Sequence, residues 1–183
     1  MSRQSQTEIA VLGALSVEPM SGYAVRQAIT QTLGHFWSES FGQIYPTLAR
    51  LEAEGLVAPS GEGRTSGSTY RLTAKGRRRL RALLQEPIPS APPRNGTLLR
   101  LFFGGLLGPA ECRGIVEGSR DRAAESLAHL GRIRVEVQAE VDAGDAGAAY
   151  RLITLSAGEH TARAQLAWAE ETLAVLDALD ALP

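Results

Sequence analysis

The chain has 183 residues, 44% hydrophobic, 21% charged and 5% aromatic, and its 19 Lys and Arg against 20 Asp and Glu leave a formal net charge of −1. That size suffices for one sizeable domain or two small ones and excludes disorder and collagen-like repetition; no apolar run approaches the length that spans a bilayer. A single cysteine, Cys112, excludes a disulfide framework and a multi-cysteine zinc site, and the opening Met1–Glu8 lacks the apolar stretch of a signal peptide, so the expectation is a soluble cytoplasmic protein with no cofactor and no membrane contact.

The near-neutral total conceals an asymmetry. Residues 1–95 carry 11 Lys and Arg and 7 Asp and Glu, a surplus of +4, whereas residues 96–183 carry 8 and 13, a deficit of −5. The basic surplus concentrates in Arg71, Lys75, Arg77, Arg78, Arg79 and Arg81. On charge alone, contact with a polyanion and a solvated helix face fit equally well.

In chain order, Ile9, Leu12 and Leu15 predict a first helix ending at Glu18-Pro19. Ser21 is the N-cap of a second, which carries Val25, Ile29 and Leu33 and stops at Gly34. A third carries Phe41, Ile44, Leu48 and Leu51 inward and stops at Gly55, with Ser40 and Gln43 at capping-box spacing. Leu56–Ala58 and Thr69–Leu72 predict two short strands around the polar, Gly-rich loop Ser60–Gly67. Thr73 then caps a fourth helix holding Leu80, Leu83 and Leu84. Helix, helix, helix, hairpin, helix is the order of a winged helix-turn-helix, in which the third helix enters the major groove and the hairpin tip reaches the neighbouring backbone or minor groove.

With its apolar residues inward, the third helix exposes Gln43, Tyr45, Pro46, Thr47, Arg50 and Glu54. Gln pairs bidentately with adenine, Arg with guanine, and Thr meets a thymine methyl or a phosphate. Plainer roles stand beside these: Gln43 closing the capping box, Arg50 paired with Glu54 one turn on, Thr47 merely exposed. Pro46 removes the bond to the carbonyl of Gly42, which predicts a locally distorted first turn. Ser21, Tyr23 and Ser40, and at the wing tip Arg64 and Ser66, are candidates for DNA contact, with Tyr23 alternatively packing on the first helix.

Glu86–Gly96 holds four of the nine prolines and falls where the charge changes sign, so it reads as an extended joint. Beyond it, Leu98–Phe103 predicts a short apolar helix ended by Gly104-Gly105, and Pro109 suits the first turn of a long one. Val116, Ala123, Leu130 and Val137 recur every seven residues until Asp142–Gly147 breaks the pattern. A last helix carries Leu152, Leu155, Ala162, Leu166, Ala169, Leu173 and Leu176, interrupted by Glu159. Two long striped helices with no third layer predict partner helices from a second copy, with Val116, Ala123, Leu130, Val137, Leu166 and Leu173 at the interface; an intrachain hairpin is the alternative. Twofold symmetry in turn predicts a palindromic operator.

Pro19–Tyr23, His35–Leu48, Arg50–Val57 and Tyr70–Gly76 together resemble the PadR family of bacterial transcription regulators, the last of these matching its second wing strand and the start of its fourth helix. Leu98–Phe103, Tyr150–Leu155 and Ala164–Trp168 resemble, more loosely, the C-terminal domain of its virulence-activator subgroup. The resemblance implies a DNA-binding regulator, a repressor in expectation, that dimerises through its helices and responds to a small aromatic or lipophilic effector. Trp37, Phe36, Phe103, Tyr150 and Trp168 are candidate pocket walls, although aromatics in helical proteins ordinarily pack in cores. No enzyme is expected: His35, His129 and His160 are scattered, and Cys112 reads as a partly buried helix residue.

The expected organisation is mainly α: a winged helix-turn-helix with a two-stranded wing over 1–86, a proline-rich linker over 87–97 and a helical dimerisation domain over 98–183. The competing function is a helical small-molecule or protein-interaction module without sequence-specific DNA binding.

Overall fold

The computed structural model describes residues 3–34, 36–37, 41–60, 69–88 and 94–181. The chain divides into two compact units between Ala91 and Pro92. None of its described helices is long and apolar enough to cross a membrane.

The first unit comprises α1 (Arg3–Val17), β1 (Met20–Ser21), α2 (Gly22–Ala28), α3 (Phe41–Ala53), β2 (Val57–Ser60), β3 (Thr69–Leu72) and α4 (Ala74–Leu84). The helix starts follow from local chemistry. Ser21 Oγ accepts the Ala24 amide at 3.1 Å and Thr73 Oγ1 accepts that of Gly76 at 3.0 Å, so each satisfies a donor that helix geometry leaves unpaired. At the end of α3, Gly55 takes φ +68°, a left-handed conformation glycine adopts without a Cβ clash, and the Leu56 amide turns back onto the Leu51 carbonyl. Instead of staying α to Gly34, the second helix widens into a π-helical turn over Ile29–Leu33.

The sheet has three strands rather than two. Its order is β1-β3-β2, all antiparallel, with Met20 opposite Tyr70, Ser21 opposite Thr69, and Val57 opposite Leu72. Val11, Leu12, Leu15, Val25, Ile44, Leu48, Leu51, Val57 and Leu83 form one core drawn from all four helices and the sheet. α1 is buried on more of its surface than the Ile9–Leu12–Leu15 stripe predicts: Thr7, Glu8, Ala10 and Val11 are also inside. Leu84, expected inward, is exposed, because Leu80, Leu83 and Gly76 already define the buried side of α4.

The second unit comprises α5 (Gly96–Phe102), a 3-10 turn (Gly104–Leu106), α6 (Pro109–Asp142) and α7 (Ala146–Asp180). α5 starts at Gly96, inside the expected linker, because Asn95 Oδ1 accepts the amides of both Thr97 and Leu98 at 3.0 Å. α6 and α7 form an antiparallel hairpin; Asp145 caps α7 through the Gly147 amide at 2.7 Å. Two apolar clusters hold the hairpin. One joins Cys112, Val116, Ala169 and Leu176 with Leu101, Trp168 and Leu173; the other joins Leu130, Val137, Ala148 and Leu155 with Ile133, Val141 and Leu152. Polar contacts lie along the sequence between them: Gln165 Nε2 donates to Ser119 Oγ at 3.1 Å, and buried Glu159 accepts from Arg134 at 2.6 Å and Arg163 at 3.2 Å.

This arrangement corrects the expected interface. Val116, Ala123, Leu130 and Val137 are buried, and the seven-residue stripe of α6 is already covered by α7 of the same chain. The two helices satisfy each other because a short turn brings their stripes face to face, which leaves these four residues unavailable to a second copy. Leu166 and Leu173 are half-buried, Leu173 within the first cluster.

Candidate nucleic-acid interface

The candidate interface is built on α2 and α3. α3 runs through Pro46 as one α-helix, with the Gly42 carbonyl left without its usual donor on an exposed turn. Its exposed residues are Gly42, Gln43, Tyr45, Pro46, Ala49, Glu52 and Ala53, so the outer face is small, apolar and almost uncharged. Tyr45 lies across the start of α2: a Cβ built on Gly22 would stand 2.7 Å from its Cε1, so only glycine lets the ring sit there. The side chains of Tyr45 on α3 and Tyr23 in the first turn of α2 are both exposed.

Two residues expected on this face are placed otherwise. Thr47 is only 6% exposed, because the turn carrying Ile44, Thr47, Leu48 and Leu51 faces the core. Arg50, expected to reach a base, is held inside the unit: Nη2 donates to Glu8 Oε2 and Nη1 to Glu54 Oε1, each at 2.9 Å. The Glu54 pairing is the i,i+4 contact the spacing suggests; the pairing with Glu8, 42 residues away, has no local signature. Burial alone pushes the Glu8 carboxyl up, but the hydrogen bonds and charges of Arg79 and Arg50 together outweigh it and hold the pKa below the ordinary glutamate value.

The remaining candidates divide as follows. Ser21 is half-buried, with its hydroxyl oxygen engaged in the α2 cap. Ser40, Arg64, Ser66 and the side chain of Phe41 lie outside the described residues. Ala49 was missed by residue-type reasoning, since alanine carries no polar handle; its place three residues after Pro46 and four after Tyr45 was the available signal.

The candidate effector residues are distributed over both units. Phe36 is exposed, and half-buried Trp37 packs against the core of the first unit with its Nε1 buried and without a hydrogen-bond partner among the described residues. Trp168 packs in the α5–α6–α7 cluster, while Phe103 and Tyr150 are exposed. Phe103 meets Phe102 edge to face with centroids 5.1 Å apart.

Helices α1 to α3, the antiparallel sheet and α4 make this a winged helix-turn-helix protein carrying a separate helical unit. Residues 11–82 match the profile of the transcriptional regulator PadR-like family, and residues 93–177 that of the virulence activator alpha C-terminal domain. Over residues 11–82 the chain is thus similar to the PadR-like family of transcriptional regulators. The negative transcriptional regulator PadR of Bacillus subtilis is 29% identical over 126 residues, which cover 66% of this chain and 69% of its own. The crystal structure of a PadR-like regulator of Bacillus cereus is 27% identical, has a TM-score of 0.78 and covers 94% of this chain and 98% of its own. Bacillus subtilis PadR in complex with operator DNA is similar at 25% identity and TM-score 0.75, covering 92% and 98%. The same protein in complex with p-coumaric acid gives a TM-score of 0.69 at 24% identity, covering 93% and 98%, and bears on the fold.

Proposed function

We propose that this protein is a non-enzymatic repressor that binds a palindromic DNA operator as a homodimer and is released by a small aromatic or lipophilic effector. The observation that carries the DNA reading is the outer face of α3, where Gln43, Tyr45, Pro46 and Ala49 stand free beside the start of α2. Such a face suits a major groove: the Gln43 amide matches the adenine edge, and the Tyr45 ring and Ala49 methyl suit thymine methyl groups. Tyr23, and the Ser21 hydroxyl as a donor, are placed for phosphates; Ser40, Arg64 and Ser66 remain candidates on the same reading. The operator complex of the Bacillus subtilis relative supports it.

Dimerisation is assigned to α5 and the turn after it, not to the α6 seam. Phe102 is 82% and Leu106 90% exposed, and Leu98, Leu99 and Phe103 add to the same short stretch. Apolar exposure this concentrated favours burial against a partner. The effector reading is supported by the p-coumaric acid complex of the relative, with Trp37 and Trp168 as fluorescence reporters for a compound panel. Selection of bound duplexes from a randomised library, followed by anisotropy titration, tests the DNA reading. Gln43→Ala is expected to weaken the selected duplex by about 1–3 kcal/mol and to relax one base position. Equal weakening on scrambled DNA would remove Gln43 from base readout, and a library that enriches nothing would favour the interaction-module reading.

A further inference from the structure

Glu8 is an acidic residue inside a domain whose surplus is basic, with a side chain only 5% exposed. Its oxygens serve two helices: Oε2 accepts from Arg50 Nη2 of α3 at 2.9 Å, and Oε1 from Arg79 Nε of α4 at 2.8 Å. One carboxylate of α1 therefore grips both the groove-facing helix and the helix that leads out of the unit. A second set of bonds reinforces the grip. Lys75 Nζ donates to the Glu54 carbonyl at 2.7 Å, and Thr73 Oγ1 reaches those of Gly55 at 2.9 Å and Leu56 at 3.0 Å. These polar ties fall on the C-terminal half of α3 and the turn that follows it, and the start of the helix, with Gly42 and Pro46, has the weaker backbone ladder.

Gln43 lies seven residues before Arg50, two turns along nearly the same side of α3. A rotation of the helix at Arg50 is therefore carried directly to Gln43 and the adjoining Tyr45. Buried ion pairs of this kind contribute little to net stability compared with an apolar replacement, so their use is better sought in setting one arrangement. Glu8 has a second consequence. It balances two guanidinium charges that would otherwise add to the indiscriminate attraction between this domain and phosphates.

We infer that Glu8 is the specificity-positioning residue of this regulator: through Arg50 and Arg79 it fixes the rotation of α3 and restrains non-specific DNA attraction. This rests on the DNA-binding reading above. It assigns Arg50 to orienting the helix instead of contacting a base, and Glu8 itself touches no DNA.

The test uses the full chain, a duplex enriched by the wild type from a randomised library, and a scrambled duplex of the same composition. Both are titrated over a range of salt concentrations. Glu8→Gln is expected to weaken the enriched duplex roughly tenfold and to tighten the scrambled one, with a steeper salt dependence as guanidinium charge is freed. The ratio of the two affinities should thus collapse from both sides. A purely structural role would lower both affinities together, in step with the folded fraction measured by circular dichroism, and that result overturns the inference, as does an unchanged ratio. Arg79→Gln covers the case in which Glu8→Gln fails to fold: Arg79 is partly exposed, and its loss frees one oxygen of Glu8 while leaving Arg50 paired. It should lower the ratio, the enriched duplex weakening more than the scrambled one, and an unaltered ratio would overturn the inference. A wild type that enriches no duplex would overturn the DNA-binding reading itself, an outcome distinct from a wild type that binds selectively and a variant that keeps that selectivity.

Discussion

The two units bury their apolar residues in different ways. The first gathers side chains from four helices and a sheet around one centre, and its buried residues include seven leucines and isoleucines from α1, α3 and α4 alone: Leu12, Leu15, Ile44, Leu48, Leu51, Leu80 and Leu83. The second is a hairpin whose seam holds small residues, Ala123, Ala148, Ala162 and Ala169, and it keeps larger ones such as Phe102, Leu106 and Tyr150 outside. A two-helix layer has only one inner face, so apolar residues beyond that face meet water or another chain. The first unit is complete as a core; the second is organised as a surface.

The sharpest way to break this contrast is Phe102→Asp. Two symmetry-related copies of a phenylalanine leaving a buried interface would cost roughly 3–6 kcal/mol of association free energy. Light scattering should report a monomer with an unchanged circular dichroism spectrum, and a variant that stays dimeric would take α5 out of the interface. Next in size is a paired comparison of core truncations. Leu51→Ala, in the many-sided core, should cost about 4–5 kcal/mol, and Leu155→Ala, in a seam that can close on itself, about 2–3 kcal/mol. Urea unfolding followed separately at the two units measures both, and equal costs would mean the seam is as rigid as the core.

The smallest effect is a shared dependence on acid. Glu8 in the first unit and Glu159 in the second both have pKa values held below the ordinary glutamate value of 4.5, Glu8 by Arg79 and Arg50 against its burial, Glu159 chiefly by Arg134. A lowered folded pKa means that the unfolded chain takes up the proton more readily. The stabilisation is therefore full above pH 4.5 and is lost as pH falls through the folded values. Glu159→Gln should remove about 1–2 kcal/mol at neutral pH and flatten the acid limb of the melting-temperature profile of the second unit. An acid limb unaltered by the substitution would assign it to other carboxylates.

Much of the architecture was legible before folding was considered. The caps at Ser21 and Thr73, the stop at Gly55 and the first-turn Pro109 place the ends of α2, α4, α3 and α6 within a residue or two, and the Asp142–Gly147 break separates α6 from α7. β1 was not legible, since a two-residue strand has no period and exists through its pairing with Tyr70 and Thr69 some fifty residues later. Thr47 and Arg50 were misplaced for a related reason. A polar residue beside an apolar stripe reads as solvent-facing, yet here α1 brings Glu8 against that side of α3. Glu8 itself followed the same rule and was overlooked.

The amino-acid sequence by itself determined the helices, the hairpin and the family resemblance, because caps, glycine conformations and apolar periods act over a few residues of backbone. Only the tertiary structure decided which stripe meets which. It closed the α6 stripe on α7 instead of a second copy, turned Thr47 inward, and tied Arg50 to Glu8. Those outcomes depend on long-range packing and on the cost of leaving a buried charge unpaired, neither of which is written in local spacing.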